Sequence, residues 1–312
     1  MDNLLNDLRF ALRTLRKQPA FTATVVATLA LAIGASTAIF SVVEATLLRP
    51  LPFQSPERIG FLQQVAGPER SSRGVSYPEV LDWSRMARAF DGIAIYDETS
   101  LNLRTPDGAE RVEAELVSAS YFDLLGATAA RGRVFTHEED AVPDAHAVAV
   151  ISDAMWKTRF GGDPSIVGRS LTLNDVAFTV IGVMPPGFKG ISFDTDVWLP
   201  AAMTHAAGGP ADLTDRGSRW YSAIGRLHAG TTVERGQSDL DRVAAQLAHD
   251  FPGSNRDRGI QFVSLRDSYL GSTRTIVIAV FVAVALLLVI ACANVANLQL
   301  ARAASRVHEI AM

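Results

Sequence analysis

The sequence predicts an α+β domain held between two transmembrane α-helices, and three observations predict it. First, Phe21–Val43 and Thr275–Ala293 contain no charged residue; each is about 20 residues, roughly what an α-helix needs to cross a hydrocarbon core. Second, the 226 residues from Arg49 to Arg274 are polar and mixed, enough chain for one large core or two modest ones. Third, strand-like and helix-like segments alternate irregularly there, without the βαβ rhythm of a parallel sheet.

Residues 1–19 read as a cytoplasmic amphipathic helix. Leu4, Leu5, Leu8, Ala11, Leu12 and Leu15 recur at helical spacing, with Asp7, Arg9, Arg13 and Arg16 elsewhere on the wheel. Such a helix lies along a membrane surface as a topology anchor, or offers a contact to a cytoplasmic partner. Residues 20–48 hold the first transmembrane helix. A cleaved signal peptide has an apolar run of only about 7–15 residues and a small-residue cleavage site, which this longer span, running into Glu44 and Arg49-Pro50, does not match. Ala30, Gly34 and Ala38 are four apart, a spacing that lets another helix approach closely. Hydroxyls at Thr37, Ser41 and neighbouring positions can bond the helix backbone or a second helix.

The central domain, residues 49–274, reads element by element. Tyr77–Ala89 is a helix with Ser76 as N-cap and Pro78 in its first turn. Gly92–Tyr96 and Ser100–Thr105 are strands, followed by a turn at Pro106-Asp107-Gly108. Arg111–Ser118 sets Val112, Ala114 and Leu116 against Arg111, Glu113 and Glu115, a half-buried strand. Tyr121–Leu125 is a short helix closed by Gly126. Ala147–Ile151 is a strand, and Asp153–Phe160 a helix ending at Gly161-Gly162. Ser170–Leu173 and Ala177–Val183 form a hairpin around Asn174-Asp175; Asp196–Pro200 and Trp220–Leu227 are further strands. Val233–Phe251 is an amphipathic helix with Leu240, Val243, Ala244 and Leu247 on the face that packs on a sheet, and Gln261–Leu265 is the last strand. Residues 275–298 hold the second transmembrane helix, with Asn294 and Asn297 at its inner end, where amides can bond a neighbouring helix. Residues 299–312 begin a cytoplasmic segment.

Orientation follows from charge. Arg9, Arg13, Arg16 and Lys17 precede the first span, and Arg302 and Arg306 follow the second. Short basic flanks stay in the cytoplasm, so both termini are expected inside and the central domain outside. Residues 49–274 carry 23 basic and 29 acidic residues, a net of −6. No basic stripe is available for phosphates, which argues against nucleic acid as a partner. The one cysteine, Cys292, lies in the second span, so the outer domain holds no disulfide.

No Walker A, HExxH, G-x-S-x-G or GxGxxG pattern is present. No catalytic constellation, metal or bound cofactor is expected, and any ATP would be bound by a partner subunit. The acidic run His137-Glu138-Glu139-Asp140, with Asp144 and His146, reads as a solvated loop rather than a metal site. Asp194 and Asp196 read as solvated too. Tyr77, Trp83, Trp156, Phe160, Trp198 and Trp220 read as core and packing aromatics.

Motifs along nearly the whole chain carry a resemblance. They include Lys17-Gln18-Pro19-Ala20-Phe21, Gly34-Ala35-Ser36-Thr37-Ala38 and Leu48-Arg49-Pro50-Leu51-Pro52. Ser76-Tyr77-Pro78 with Asp82-Trp83 follows, then Gly132-Arg133-Val134-Phe135 and Arg159-Phe160-Gly161-Gly162-Asp163-Pro164. Pro186-Gly187-Phe188, Asp196-Val197-Trp198-Leu199-Pro200 and Ala293-Asn294-Val295-Ala296-Asn297 continue the series. The chain resembles the MacB-like/FtsX-like permeases of ABC transporters, most of all the duplicated orphan permeases first noted in acidobacteria.

The resemblance implies a periplasmic core domain with a porter-like and a second α+β subdomain. It implies a separate cytoplasmic ABC ATPase as partner, and mechanotransmission rather than passage of cargo through the membrane helices. Arg302, Arg306, Glu309 and Ile310 match the start of the family's ATPase coupling segment. The family continues with further spans, so this chain is expected to be an N-terminal part whose partners include the missing permease half or a second copy; a periplasmic adaptor is a further partner of this kind. The alternative from another class is a two-span sensor or binding ectodomain without transport activity, which shares the topology.

Overall fold

The protein is described from a computed structural model covering residues 19–43, 53–67, 71–106, 108–209 and 212–268, and the shorter stretches 278–286, 288–290, 292–293 and 296–297. It divides into two compact units, Met1–Pro50 with Tyr269–Met312, and Leu51–Ser268.

In the first unit, α1 (Pro19–Val43) is a 25-residue helix. Its hydroxyls turn inward on its own backbone: Thr37 Oγ1 donates to the Ile33 carbonyl and Ser41 Oγ to that of Thr37, both at 2.9 Å. Among the described residues no helix is long and apolar enough to cross a membrane. Several α1 side chains and several residues of the second apolar span lie outside the description.

In the second unit the strands are β1 (Ile59–Ala66), β2 (Ser71–Arg73), β3 (Phe90–Thr105), β4 (Gly108–Val117), β5 (Arg131–Gly132), β6 (Val148–Ile151), β7 (Ser170–Leu173), β8 (Val176–Val183), β9 (Val197–Pro200), β10 (Ser222–Leu227) and β11 (Arg258–Ser264). The helices are α2 (Tyr77–Met86), α3 (Ser120–Leu125), α4 (Asp153–Phe160), α5 (Val233–Asp250) and α6 (Pro252–Asn255). The strands join in one sheet of order β11-β1-β10-β3-β4-β9-β6-β8-β5, with β2 on β1 and β7 bridging β3 and β8.

Two subdomains share that sheet. The outer one runs β1-α2-β3, leaves at Asp97 and returns for β10-α5-β11. Its order β11-β1-β10-β3 with every pair antiparallel is the βαββαβ ferredoxin-like arrangement. Its core joins Leu62, Trp83, Ile93 and Ile95 to Leu240, Val243 and Leu247 of α5. Burying each of these α5 side chains contributes about 1.5–3 kcal/mol. The inserted subdomain, between β3 and β10, is mixed: β4–β9 and β6–β8 are parallel, the other pairs antiparallel. Its core gathers Leu101, Leu116, Ile151, Trp156, Phe178 and Leu199.

The expected elements appear with instructive differences. The two strands expected at 92–96 and 100–105 are one 16-residue strand. Its first half pairs with β10 and its second with β4, so the ladder never lapses. Strand β1 carries no alternating signal because almost all of it is buried, a pattern periodicity misses. The hairpin turn at Asn174-Asp175 has φ of 43° and 68°, the left-handed pair a two-residue turn needs. Two helices are capped by side chains: Ser152 Oγ accepts from Met155 N–H at 3.0 Å, and Thr232 Oγ1 from Arg235 N–H at 3.3 Å, each contributing about 1 kcal/mol. At α2 the Glu79 carboxylate accepts from the Ser76 N–H at 3.1 Å and completes a capping box with Ser76.

Three readings are corrected. Glu115 is not on a solvated face but fully buried, because the C-terminal end of β4, Ala114–Val117, is covered on both sides. Asp140, in the acidic run read as a solvated loop, is 6% exposed and anchors backbone N–H groups. Trp220, read as core, is 47% exposed, whereas Trp83 and Trp198 are fully buried.

Candidate functional site

A cleft of about 510 Å³ opens in the second unit between Phe53 and Gln54, the end of α3 at Leu125 and Gly126, and the loop at Pro186 and Phe188. Its size is that of a small-molecule site. The sequence builds each wall. Gly126 closes α3 with φ +69°, which a residue with a Cβ adopts at a cost; a Cβ there would also lie 2.8 Å from the Gln54 side chain. The Pro185–Phe188 turn is closed by a Phe188 N–H to Pro185 carbonyl bond of 3.2 Å.

The floor is aromatic. Phe188 stands edge-on to Phe53 at 6.4 Å between centroids and packs on Phe122 at 6.3 Å and Trp198 at 5.3 Å. Trp198 is in turn fixed by β-sheet register. Glu115 of β4 lies beside Trp198 of β9 in the parallel pair, so both side chains share a face. Trp198 Nε1 donates to Glu115 Oε2 at 2.7 Å, the Tyr121 hydroxyl donates to the same oxygen at 2.5 Å, and Ser192 N–H donates to Oε1 at 2.9 Å. Ile191 N–H donates to the Tyr121 oxygen at 2.8 Å. Burial first, and the Glu115 carboxyl second, hold the Tyr121 phenol well above its ordinary pKa.

A seam between the subdomains holds further titratable groups. Asp97 begins the inserted subdomain and Trp220 ends it; the Trp220 side chain hydrogen-bonds Asp97, yet burial dominates and raises the Asp97 pKa to about 7. Asp140 accepts from Ala119 N–H at 3.2 Å and Ala202 N–H at 3.0 Å; burial outweighs those bonds and raises it to about 7 as well. Tyr77 donates to the Asp140 carbonyl at 3.0 Å and its ring lies 5.9 Å from that of Tyr221. Both phenols are raised, mainly by burial.

A polar cleft of about 670 Å³ lies between the β3–β4 and β7–β8 turns, with Arg104 and Asp175 paired at 2.5 Å on its rim. Among the described residues no group of three or more metal-ligating side chains converges.

Of the sequence-expected site residues, Ala30, Gly34, Ala38 and Asn297 lie among the described residues. Ala30, Gly34 and Ala38 are exposed on α1, with open space around Gly34. Asn297 is helical and exposed. Asn294, Arg302, Arg306, Glu309 and Ile310 lie outside the described residues. In the sequence the cleft's parts were visible as Pro186-Gly187-Phe188 and as the helix end at Leu125-Gly126; nothing in the pattern linked them to each other or to Phe53 or Gln54.

The family model of the MacB-like periplasmic core domain matches residues 22–243. The macrolide export ATP-binding/permease protein MacB of Sodalis glossinidius is 28% identical over 217 residues, covering 68% of this chain and 31% of that protein. The chain thus spans about a third of the length of this relative. The periplasmic region of MacB from Actinobacillus actinomycetemcomitans superposes with a TM-score of 0.51 at 15% identity, over 70% of this chain and 92% of that one. A domain of a candidate permease protein from Porphyromonas gingivalis superposes with a TM-score of 0.50 at 15% identity, over 69% and 92%. These structural likenesses speak to fold alone.

Proposed function

The chain belongs to the MacB-like periplasmic core domain family, and from that premise we propose that it is a permease subunit of an ABC-type export or mechanotransmission system. The observation that carries the reading is the family match across residues 22–243, which takes in the first uncharged apolar span and is followed by the second at Thr275–Ala293. The central domain lies outside the bacterial inner membrane and both termini lie in the cytoplasm, as the basic flanks favour. A separate ATPase binds and hydrolyses ATP; this chain carries no catalytic step and passes the resulting motion to its outer domain. Ala30, Gly34, Ala38, Asn294 and Asn297 pack helices in the membrane against the remaining permease half or a second copy. Residues 2–17 with Arg302, Arg306, Glu309 and Ile310 meet the ATPase.

The test is co-purification of the tagged chain from native membranes, with and without residues 2–17 and 302–312. The expected result is an ATPase subunit retained by the intact chain and lost when both segments are deleted. Retention after both deletions would sink the reading.

A further inference from the structure

Arg226 is an unusual residue for its place. It sits on β10 opposite Ile59 of β1 and is 8% exposed. Its Nη2 is buried with no acceptor among the described residues. Burial, and after it the nearby Arg58 guanidinium, pull its pKa below the ordinary arginine value, while Asp91 and Glu57 oppose this only in part. Asp91 is itself engaged by Arg58 and His228. A buried guanidinium with an idle donor and a like charge beside it costs stability; an apolar residue would fill this strand position more cheaply.

What Arg226 does hold is specific. Its Nε donates to the Leu124 carbonyl at 2.6 Å, and its Nη1 to the Gln54 carbonyl at 2.7 Å. Leu124 is in the last turn of α3, in the inserted subdomain. Gln54 is in the segment that enters the second unit three residues after its first residue, Leu51. Arg226 itself belongs to the ferredoxin-like subdomain. One planar fork therefore ties the incoming segment, the inserted subdomain and β10 together, a geometry that a lysine's single ammonium does not reproduce. Gln54 lines the aromatic cleft, and Leu124 directly precedes Leu125 and Gly126, which line it too.

We infer that Arg226 is a positioning residue that couples the segment following the first apolar helix to α3, so that displacement of residues 53–58 is passed into the inserted subdomain and changes the width of the cleft. The coupling rests on the mechanotransmission reading; the tie itself does not.

Hydrogen exchange on the full chain in detergent tests the tie. Arg226→Met, which keeps a similar stem and removes the donors, is expected to speed exchange roughly tenfold in 53–58 and in 120–128 together, leaving 170–183 unchanged. Ile224→Val, on the same strand, is the packing control and should not single out those two segments. Should Arg226→Met fail to fold, Arg226→Lys carries the same comparison. Exchange that rises evenly across the unit, or not at all in 53–58, overturns the inference.

The coupling is read from spin labels at Thr128→Cys and Pro186→Cys, across the cleft, in a Cys292→Ala background with the co-purifying ATPase. ATP with vanadate is expected to shift the distance in the parent chain and not with Arg226→Lys. A shift that persists in Arg226→Lys overturns the coupling. No shift in the parent chain overturns the mechanotransmission reading instead, and the exchange result then stands by itself.

Discussion

The two subdomains each bury a glutamate completely, and they compensate it in opposite ways. Glu79, on α2 of the ferredoxin-like subdomain, meets a cation: Arg219 Nη2 donates at 3.0 Å, with Gln64 Nε2 and Asn255 Nδ2 each at 2.9 Å on the same oxygen. Gln64 Oε1 then accepts from Arg219 Nε at 2.6 Å and Arg258 Nη1 at 2.9 Å. Glu115, in the inserted subdomain, meets only neutral donors: a phenol, an indole and a backbone N–H. The first network joins α2 to β1, α6, β11 and the segment before β10, and so holds together parts distant in sequence. The second fixes one loop and one tryptophan under the cleft. Charge compensation closes the discontinuous subdomain, and neutral hydrogen bonds orient the site.

This contrast sets the order of expected effects. Arg219→Ala leaves the Glu79 carboxyl buried without its cation and is expected to cost about 3–5 kcal/mol, read as a lower urea midpoint. Adding Glu79→Gln should recover a large part of that loss; a double variant no better than the single would show that Arg219 acts through packing instead. Glu115→Gln keeps the shape but offers an NH₂ group where an acceptor is needed, and is expected to cost about 1–3 kcal/mol. Its mark is local: exchange should rise at 190–198 and Trp198 fluorescence should change, while the ferredoxin-like strands stay protected. Gly190→Ala approaches the same network from the other side. Gly190 has φ +71°, and a Cβ would lie 2.4 Å from Glu115 Oε2, so a loss of about 1–2 kcal/mol is expected in the same loop.

A pH effect concerns the seam. Asp97 and Asp140 have folded pKa values raised to about 7, above the unfolded carboxylate range of about 4. Between those values the folded state holds more protons than the unfolded one, so stability falls as pH rises. The midpoint temperature is expected to be higher at pH 5 than at pH 8, with the change complete just above neutrality. Asp97→Asn should flatten part of that slope. An unchanged slope would assign it to Asp140, and its absence in the parent chain would remove both groups from consideration.

Local chemistry made much of the fold legible. The α4 helix ends where Gly161 adopts its positive φ, the Asn174-Asp175 turn is where its side chains favour it, and α5 shows its buried face by spacing alone. The motif series and the family it resembles were legible for the same reason, being strings of adjacent residues. Strand β1 was illegible because burial on both faces erases alternation. The cleft was equally hidden, since its walls come from residues 53–54, 125–128 and 185–188, whose approach depends on sheet order.

By itself, then, the sequence determined the α+β domain between apolar segments, the short-range elements and the family, because period, cap and turn signals act over a few residues. The tertiary structure decided that one long β3 serves two cores, that Glu115 and Asp140 are inside rather than outside, and that Arg226 joins three distant pieces of chain. The physical reason is that burial and pairing are properties of neighbours across the sheet: Glu115 reads as a surface residue along β4 and becomes an interior one only when Trp198 is placed beside it.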